Sequence, residues 1–155
     1  MQGNPQVLDC LNQLLAGELA ARDQYFIHSR MYHDWGYSRL HERIAHEMED
    51  ETGHASSLIE RILLLGGTPN MQVGAIDIGK DVPAMLASDL RVELHVQGEL
   101  KKAIALCEQQ QDYVSRTLLV EQLKDTEEDH AHWLEQQLLH IEQMGLPNYL
   151  QSQAR

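Results

Sequence analysis

The sequence predicts an all-α protein, a four-helix bundle with one long crossover connection and a short fifth helix at the C-terminus. Three observations lead to this prediction. Glycine and proline divide the 155 residues into four long stretches with helical apolar spacing, no stretch alternates polar and apolar residues as a strand does, and 43% hydrophobic residues suffice for one core. We therefore expect a single domain over residues 1–155.

Five helical segments follow from the chain's punctuation. The four long helices are predicted at about 5–33, 38–65, 83–110 and 112–144, and the short one at 147–153. Helices of this length are typical of bundles, in which each helix buries a stripe along its neighbours. We expect no membrane-spanning helix, because the longest unbroken apolar run is far shorter than the roughly 20 residues that a bilayer requires.

Caps and connections set the predicted topology. Pro5 suits a first helical turn, Ser38 and Asp112 are expected as N-caps, and Gly145 is expected to end the fourth helix. Short connections make the first and second helices antiparallel, and likewise the third and fourth. The connection at 66–81 contains four glycines and a proline and is long enough to cross the bundle.

Composition excludes several classes of function. The net charge of −12 disfavours a nucleic-acid-binding surface, because such surfaces need lysine and arginine to neutralise phosphates. The first residues lack a basic region followed by an apolar run, and the two cysteines, Cys10 and Cys107, form no metal or redox motif. We expect both cysteines to be core residues of a cytoplasmic protein.

The predicted core stripes carry a carboxylate near the middle of every helix. The first and third helices supply one glutamate each, and the second and fourth supply a glutamate with a histidine three residues later. These residues are Glu18, Glu51 with His54, Glu93, and Glu127 with His130. Spacing of three places both members of a pair on one helix face. The interval from Glu18 to Glu51 nearly repeats from Glu93 to Glu127, as in a duplicated helix pair.

A bound cation accounts for this pattern. Burying an unpaired carboxylate costs several kcal/mol, and carboxylate oxygens with imidazole nitrogens suit iron, manganese or zinc. One Glu-x-x-His alone is weak evidence, and the alternative is a set of stripe-edge charges with hydrogen-bonded core histidines. The joint pattern is far more specific, since it is the ligand arrangement of the carboxylate di-metal bundles.

Seven short segments carry a resemblance to a known family. The chain resembles the bacterioferritins of the ferritin superfamily over nearly its whole length, at residues 11–15, 17–19, 24–26, 28–31, 59–63, 112–116 and 148–152. The resemblance implies a shell of twenty-four chains that oxidises Fe(II) with O2 or H2O2 and stores a ferric mineral. It also implies a ferredoxin-type reductant that supplies the electrons for iron release.

The resemblance further implies the roles of single residues. The first iron takes Glu18, Glu51 and His54, and the second takes Glu93, Glu127 and His130, with Glu51 and Glu127 bridging the two. His46 and Asp50 match an additional iron site on the inner surface of the shell, where Glu47 adds negative charge. Tyr25 lies two turns after Glu18, either as a packing residue or as a partner of a ligand.

The chain departs from the family pattern at the heme position. Bacterioferritins bind heme b between two chains through one methionine from each, and the matching residue here is Thr52, a poor axial ligand. Met48 lies one turn earlier and is a candidate ligand for a displaced heme, or a packing residue at the dimer contact. A mixed shell with a heme-binding subunit is a further alternative.

A second departure lies in the fourth helix. The segment from Arg116 to Glu127 is one residue longer than the family pattern, and the apolar positions before and after Leu118 are out of phase. An extra helical residue is commonly absorbed as a π-bulge. We therefore expect a π-bulge that alters how Glu127 or His130 meets the second iron.

Three functions were weighed for this chain. The leading hypothesis is an iron-storage ferroxidase. The second is a structural or heme- and partner-docking subunit of a mixed shell, which the complete six-ligand set disfavours. The third is a di-iron peroxidase or oxygenase, for which the chain has no room for an additional redox domain. DNA-protecting mini-ferritins are disfavoured by the acidic charge.

Overall fold

The computed structural model describes residues 1–70, 72 and 74–154, so Met71, Val73 and Arg155 lie outside the described residues. Its elements are α1 (Pro5–Asp34), α2 (Ser38–Leu64), α3 (Val82–Gln109), α4 (Tyr113–Asp125), a π-turn (Thr126–Ala131), α5 (His132–Met144) and α6 (Leu146–Gln153). The π-turn joins α4 to α5 without a break, and these three segments form the fourth bundle helix. The described residues contain no strand, which confirms the predicted fold class.

The helix ends follow the predicted punctuation with one exception. Asp112 caps α4 by accepting a hydrogen bond from the backbone N–H of Ser115, as predicted. Gly145 ends α5 with a φ of 80°, in the region that favours glycine. The prediction of Ser38 as an N-cap is wrong, because the carbonyl of Tyr37 already accepts the first helical bond, from His41 N, and Ser38 lies inside the first turn.

Two apolar cores occupy the two halves of the bundle. The first contains Leu11, Leu15, Leu58, Ile62, Leu100 and Leu119, and both cysteines pack in or against it, as predicted. The second contains Tyr25, Tyr32, Leu40, Ile44, Leu86 and Leu134. Between them every long helix contributes a buried polar side chain: Glu18, Glu47, Glu51, Glu93, Gln122, Thr126 and His130. This polar midsection separates the cores.

The predicted core stripes are confirmed on α1 and α2, whereas on α3 Leu86, Glu93 and Leu100 are buried but Leu90, Gln97 and Ile104 are only partly so, and in α4 the stripe is shifted by one residue. Leu119 and Gln122 are buried there, whereas Val120, which the apolar spacing that leads to Leu123 and His130 places on the stripe, is 39% exposed. The π-turn lies just after this segment, which confirms the expected π-bulge. An inserted residue rotates one part of a helix relative to the other, so the apolar spacing cannot continue in phase through it.

The long connection between α2 and α3 has neither helix nor strand in its described residues. Buried side chains hold its last part. Asp77 N donates to Gln24 Oε1 (3.0 Å) and Gly79 N donates to His28 Nε2 (3.2 Å), while His28 Nδ1 contacts Asp89 Oδ1 (2.9 Å). A Cβ at Gly79 would lie 2.4 Å from a backbone nitrogen of α3, so only glycine fits there.

The short helix α6 closes one end of the second core. Tyr149 is fully buried, and its hydroxyl donates to Gln137 Oε1 (2.8 Å) on α5. Among the described helices, none combines the length and apolar character that crossing a bilayer demands.

Candidate metal centre

Two groups of ligand-type side chains meet in the polar midsection and share one residue. Glu18, Glu51 and His54 form the first group, and Glu51, Glu93 and His130 form the second. Within each group the donor atoms lie within 4.8 Å of one another. Glu51 belongs to both groups, and all these side chains except that of His54 are almost completely buried. The arrangement can hold two metal ions side by side.

The first group is built by α1 and α2. Glu51 and His54 are three residues apart on α2 and therefore share a face, with Glu18 opposite them on α1. His54 Nδ1 lies 3.5 Å from Glu18 Oε2 and 3.6 Å from Glu51 Oε2. These are ion-pair distances without hydrogen-bond geometry, and both Glu18 oxygens lack a hydrogen-bond partner. A cation between the three side chains would satisfy them.

The second group joins α2, α3 and the π-turn. His130 Nδ1 lies 2.9 Å from Glu51 Oε1 and 3.2 Å from Glu93 Oε1. The buried hydroxyl of Tyr25 donates to Glu93 Oε1. Of the two predicted roles of Tyr25, the structure therefore shows a residue that packs in the second core and also contacts a ligand-type carboxylate.

Both imidazoles are oriented alike. Each turns Nδ1 inward to Glu51 and Nε2 outward to further carboxylates. His54 Nε2 contacts Asp125 Oδ2 at 2.7 Å, and His130 Nε2 contacts Glu47 Oε2 at 2.5 Å and Asp50 Oδ2 at 3.1 Å. Outer carboxylates of this kind orient ligand histidines and fix their tautomer.

The electrostatics of the centre follow from this crowding. Burial raises the pKa of Glu93 to about 7, with a further upward contribution from Glu51. Burial alone would lower the pKa of His54, but the neighbouring carboxylates of Glu51 and Asp125 outweigh it and raise that pKa. The pKa of His130 is raised in the same way, and more strongly, by four surrounding carboxylates. The surrounding carboxylates thus favour the protonated form of both imidazoles.

Glu127, predicted as a ligand, lies outside both groups. Its side chain is 45% exposed and its Oε1 lies 4.0 Å from Lys101 Nζ. The cause is the π-turn, whose i→i+5 bonding places the residue four before His130, not three, on the inner face. That residue is Thr126, which is fully buried. The spacing of three, which suits an α-helix, therefore falls on the outer side of the π-turn.

The residues predicted as an accessory iron site lie beside His130. Glu47 is buried, Asp50 is partly buried, and His46 is exposed with its Nε2 3.4 Å from Asp50 Oδ2. Donor atoms of Glu47, Asp50, Asp129 and His130 lie within 4.8 Å of one another. Glu47 and Asp50 thus contact a histidine of the centre as well as forming a group that could bind a cation.

Four residues near the centre were missed in the sequence. Asp125 and Asp129 flank the Glu-x-x-His segment, Thr126 faces inward, and Arg43 donates to Glu47 Oε1 (2.8 Å) and to Asp129 O (2.5 Å). The acidic run at 125–129 was the available signal. Its members cannot be assigned to faces without the position of the π-turn.

A cavity of about 480 Å³ opens between α2 and α4 and reaches His54. Carboxylates line it, together with Gln122, whose Nε2 donates to the carbonyl oxygen of His54 (3.2 Å). The lining acids are Glu49, Asp50, Glu121 and Asp125. Their charge favours cations over anions in this opening.

The residue at the expected heme position, Thr52, is not a suitable axial ligand for heme. Thr52 is exposed, and its hydroxyl donates to the carbonyl oxygen of Met48 (3.0 Å). The Met48 side chain packs against the second core of its own chain. Thr52 therefore supplies no thioether for axial ligation, and Met48 is partly buried against the core of its own chain.

Comparisons with known proteins agree with this geometry. A ferritin-like domain model matches residues 8–144. The chain is 65% identical to a bacterial ferritin of Pseudomonas aeruginosa and 63% identical to one of Neisseria meningitidis, each over 99% of both chains. It is 42% identical to a bacterioferritin of Mycobacterium leprae over 94% of this chain and 91% of the other. The chain therefore belongs to the ferritin-like family.

Proposed function

We propose that this chain stores iron and oxidises it, as a ferroxidase subunit of a twenty-four-chain shell. The observation that carries the proposal is the pair of carboxylate–histidine groups that share Glu51 in the buried midsection. Relatives named bacterial ferritin over 99% of their length support iron as the metal. Fe(II) is the substrate, and O2 or H2O2 is the oxidant.

The proposed ligands divide into two positions. Glu18, Glu51 and His54 hold the first iron, and Glu51, Glu93 and His130 hold the second. Carboxylate oxygens are hard ligands that stabilise Fe(III) more than Fe(II) and so favour the loss of an electron. Two ferrous ions supply one electron each, so that one O2 takes up two electrons and two protons and leaves as H2O2.

The chain's own residues prepare this reaction. Glu51 keeps the two positions adjacent because its two oxygens face different histidines. The raised pKa values of Glu93 and His54 mean that iron displaces protons when it binds. The acidic cavity beside His54 gives hydrated cations access to the first position.

The test is stopped-flow oxidation at two Fe(II) per chain. Glu18→Ala and Glu51→Ala should abolish the fast phase, whereas Glu60→Gln, a charge change at an exposed site on α2, should retain it. Sedimentation should give the mass of twenty-four chains for all three variants. A fast phase that survives in both alanine variants would refute the assignment.

A further inference from the structure

Asp125 contacts a ligand histidine without belonging to either ligand group. Its Oδ2 lies 2.7 Å from His54 Nε2, on the side of the ring opposite Nδ1. The same oxygen lies 3.7 Å from His130 Nε2, too far for a hydrogen bond. Asp125 is therefore directed at one histidine of the centre, and its side chain is 36% exposed at the cavity between α2 and α4.

The backbone fixes the direction of this contact. Asp125 is the last residue of α4, immediately before the π-turn, so the regular register of α4 sets its orientation. Gln122, three residues earlier, donates to the backbone carbonyl of His54. Residues 122 and 125 share a face of α4, and they hold the backbone and the side chain of the same histidine.

The second histidine shows a complementary arrangement. His130 follows α4 and is held through Nε2 by Glu47 and Asp50 of α2, whereas His54 lies on α2 and is held through Nε2 by Asp125 of α4. A carboxylate at ion-pair distance from Nε2 favours the proton on that nitrogen and so favours an unprotonated Nδ1, which is the state that binds a metal.

We propose that Asp125 is a positioning residue that holds His54 as an Nδ1 ligand of the first metal position. This inference rests on the proposed function, since it needs the metal centre to exist. Asp125 itself does not touch the metal. Its removal should weaken the first position and leave the second unchanged.

The test is titration of the apo shell with Co²⁺, followed by its visible absorption, in variants that keep one position only. His130→Asn keeps the first position and His54→Asn keeps the second. Asp125→Asn in the His130→Asn protein should weaken Co²⁺ binding by about 10- to 100-fold. The same change in the His54→Asn protein should alter binding less than about twofold.

Glu60→Gln is the control, because it removes an exposed carboxylate of α2 that does not line this cavity, and it should leave both affinities unchanged. If Asp125→Asn weakened Co²⁺ binding equally in the His130→Asn and His54→Asn proteins, Asp125 would act only through its charge. If it did not weaken Co²⁺ binding in the His130→Asn protein, Asp125 would not position His54. Either result overturns the inference. Wild-type protein that fails to bind two Co²⁺ per chain would refute the proposed function itself, and this inference with it.

Discussion

His54 and His130 lie with ring centroids 6.0 Å apart and planes inclined by only 25°. Each directs Nδ1 toward a different oxygen of Glu51, so one carboxylate faces both imidazoles. Glu51 is therefore shared by the two groups, whereas Glu18 belongs to the first group alone and Glu93 to the second alone.

The buried charge of Glu18 should lower the free energy of unfolding of the protein when no metal is bound. Its carboxylate is 1% exposed and neither oxygen has a hydrogen-bond partner. Glu18→Gln removes a buried charge and should therefore leave the Tm of chelator-treated protein unchanged or raise it. Glu60→Gln is the exposed control. A drop of more than about 3 °C, roughly 1 kcal/mol for a chain of this size, would contradict the prediction and indicate that His54 already compensates the charge.

Glu127 should be dispensable for rapid oxidation. Because its side chain lies outside the centre near Lys101, Glu127→Gln should change the fast rate less than about twofold, well below the effect of even an outer-shell partner. His130→Asn should remove the fast phase. The measurement is stopped-flow absorbance at two Fe(II) per chain. Loss of the fast phase in Glu127→Gln would mean that this carboxylate turns inward when iron binds.

Metal affinity should rise with pH between 6 and 8. Glu93, with a pKa of about 7, and His54, with a raised pKa, must lose protons before a metal binds. Calorimetric titration with Co²⁺ in two buffers of different ionisation enthalpy counts the protons released. Tyr25→Phe removes a hydrogen bond that lowers the pKa of Glu93, so its profile should shift to higher pH. A pH-independent affinity would contradict the prediction.

The raised pKa of Glu93 also predicts how the stability of the apo protein changes with pH. The folded state binds the Glu93 proton more tightly than the unfolded chain, whose value is near 4.5. The contribution of Glu93 to the free energy of unfolding should therefore be fully present below pH 4.5 and be lost as the pH rises to about 7. Thermal unfolding of wild type and Glu93→Gln across this range measures the difference. The same dependence of Tm on pH in both proteins would contradict this prediction.

The chain made as a single species should contain little heme. Thr52 supplies no thioether, and Met48 is partly buried against the second core of its own chain. Thr52→Met should increase heme content and give a low-spin bis-thioether spectrum, because a twofold contact presents the same residue from both chains. Thr52→Leu controls for apolar surface without sulfur. If wild type already binds one heme per dimer, Met48→Leu should remove it, and retention in that variant would refute both assignments.

The sequence alone predicted those features that depend on one helix at a time. Punctuation at Pro5, Asp112 and Gly145 marked helix ends, and the stripes placed Glu18, Glu51 and Glu93 inside. The contacts of Asp125 and Glu47 with histidines were not predictable, because they depend on how α2 and the fourth bundle helix are rotated relative to each other. Residue spacing carries no information about that rotation.

The fourth bundle helix shows the second limit. The phase break near Leu118 predicted the π-bulge, yet it did not say on which side of the inserted residue the register would change. The structure places the change after Asp125. Thr126 therefore takes the inner position that an uninterrupted helix would give to Glu127.

Each of α2 and the fourth bundle helix supplies a carboxylate that contacts a histidine of the other. Both candidate metal positions therefore depend on how these two helices pack. A slide of one helix along the other lengthens the Asp125–His54 and Glu47–His130 contacts at the same time. Both ions would then be loosened together and not one by one. The packing of α2 against the fourth bundle helix therefore sets the orientation of both histidines at once.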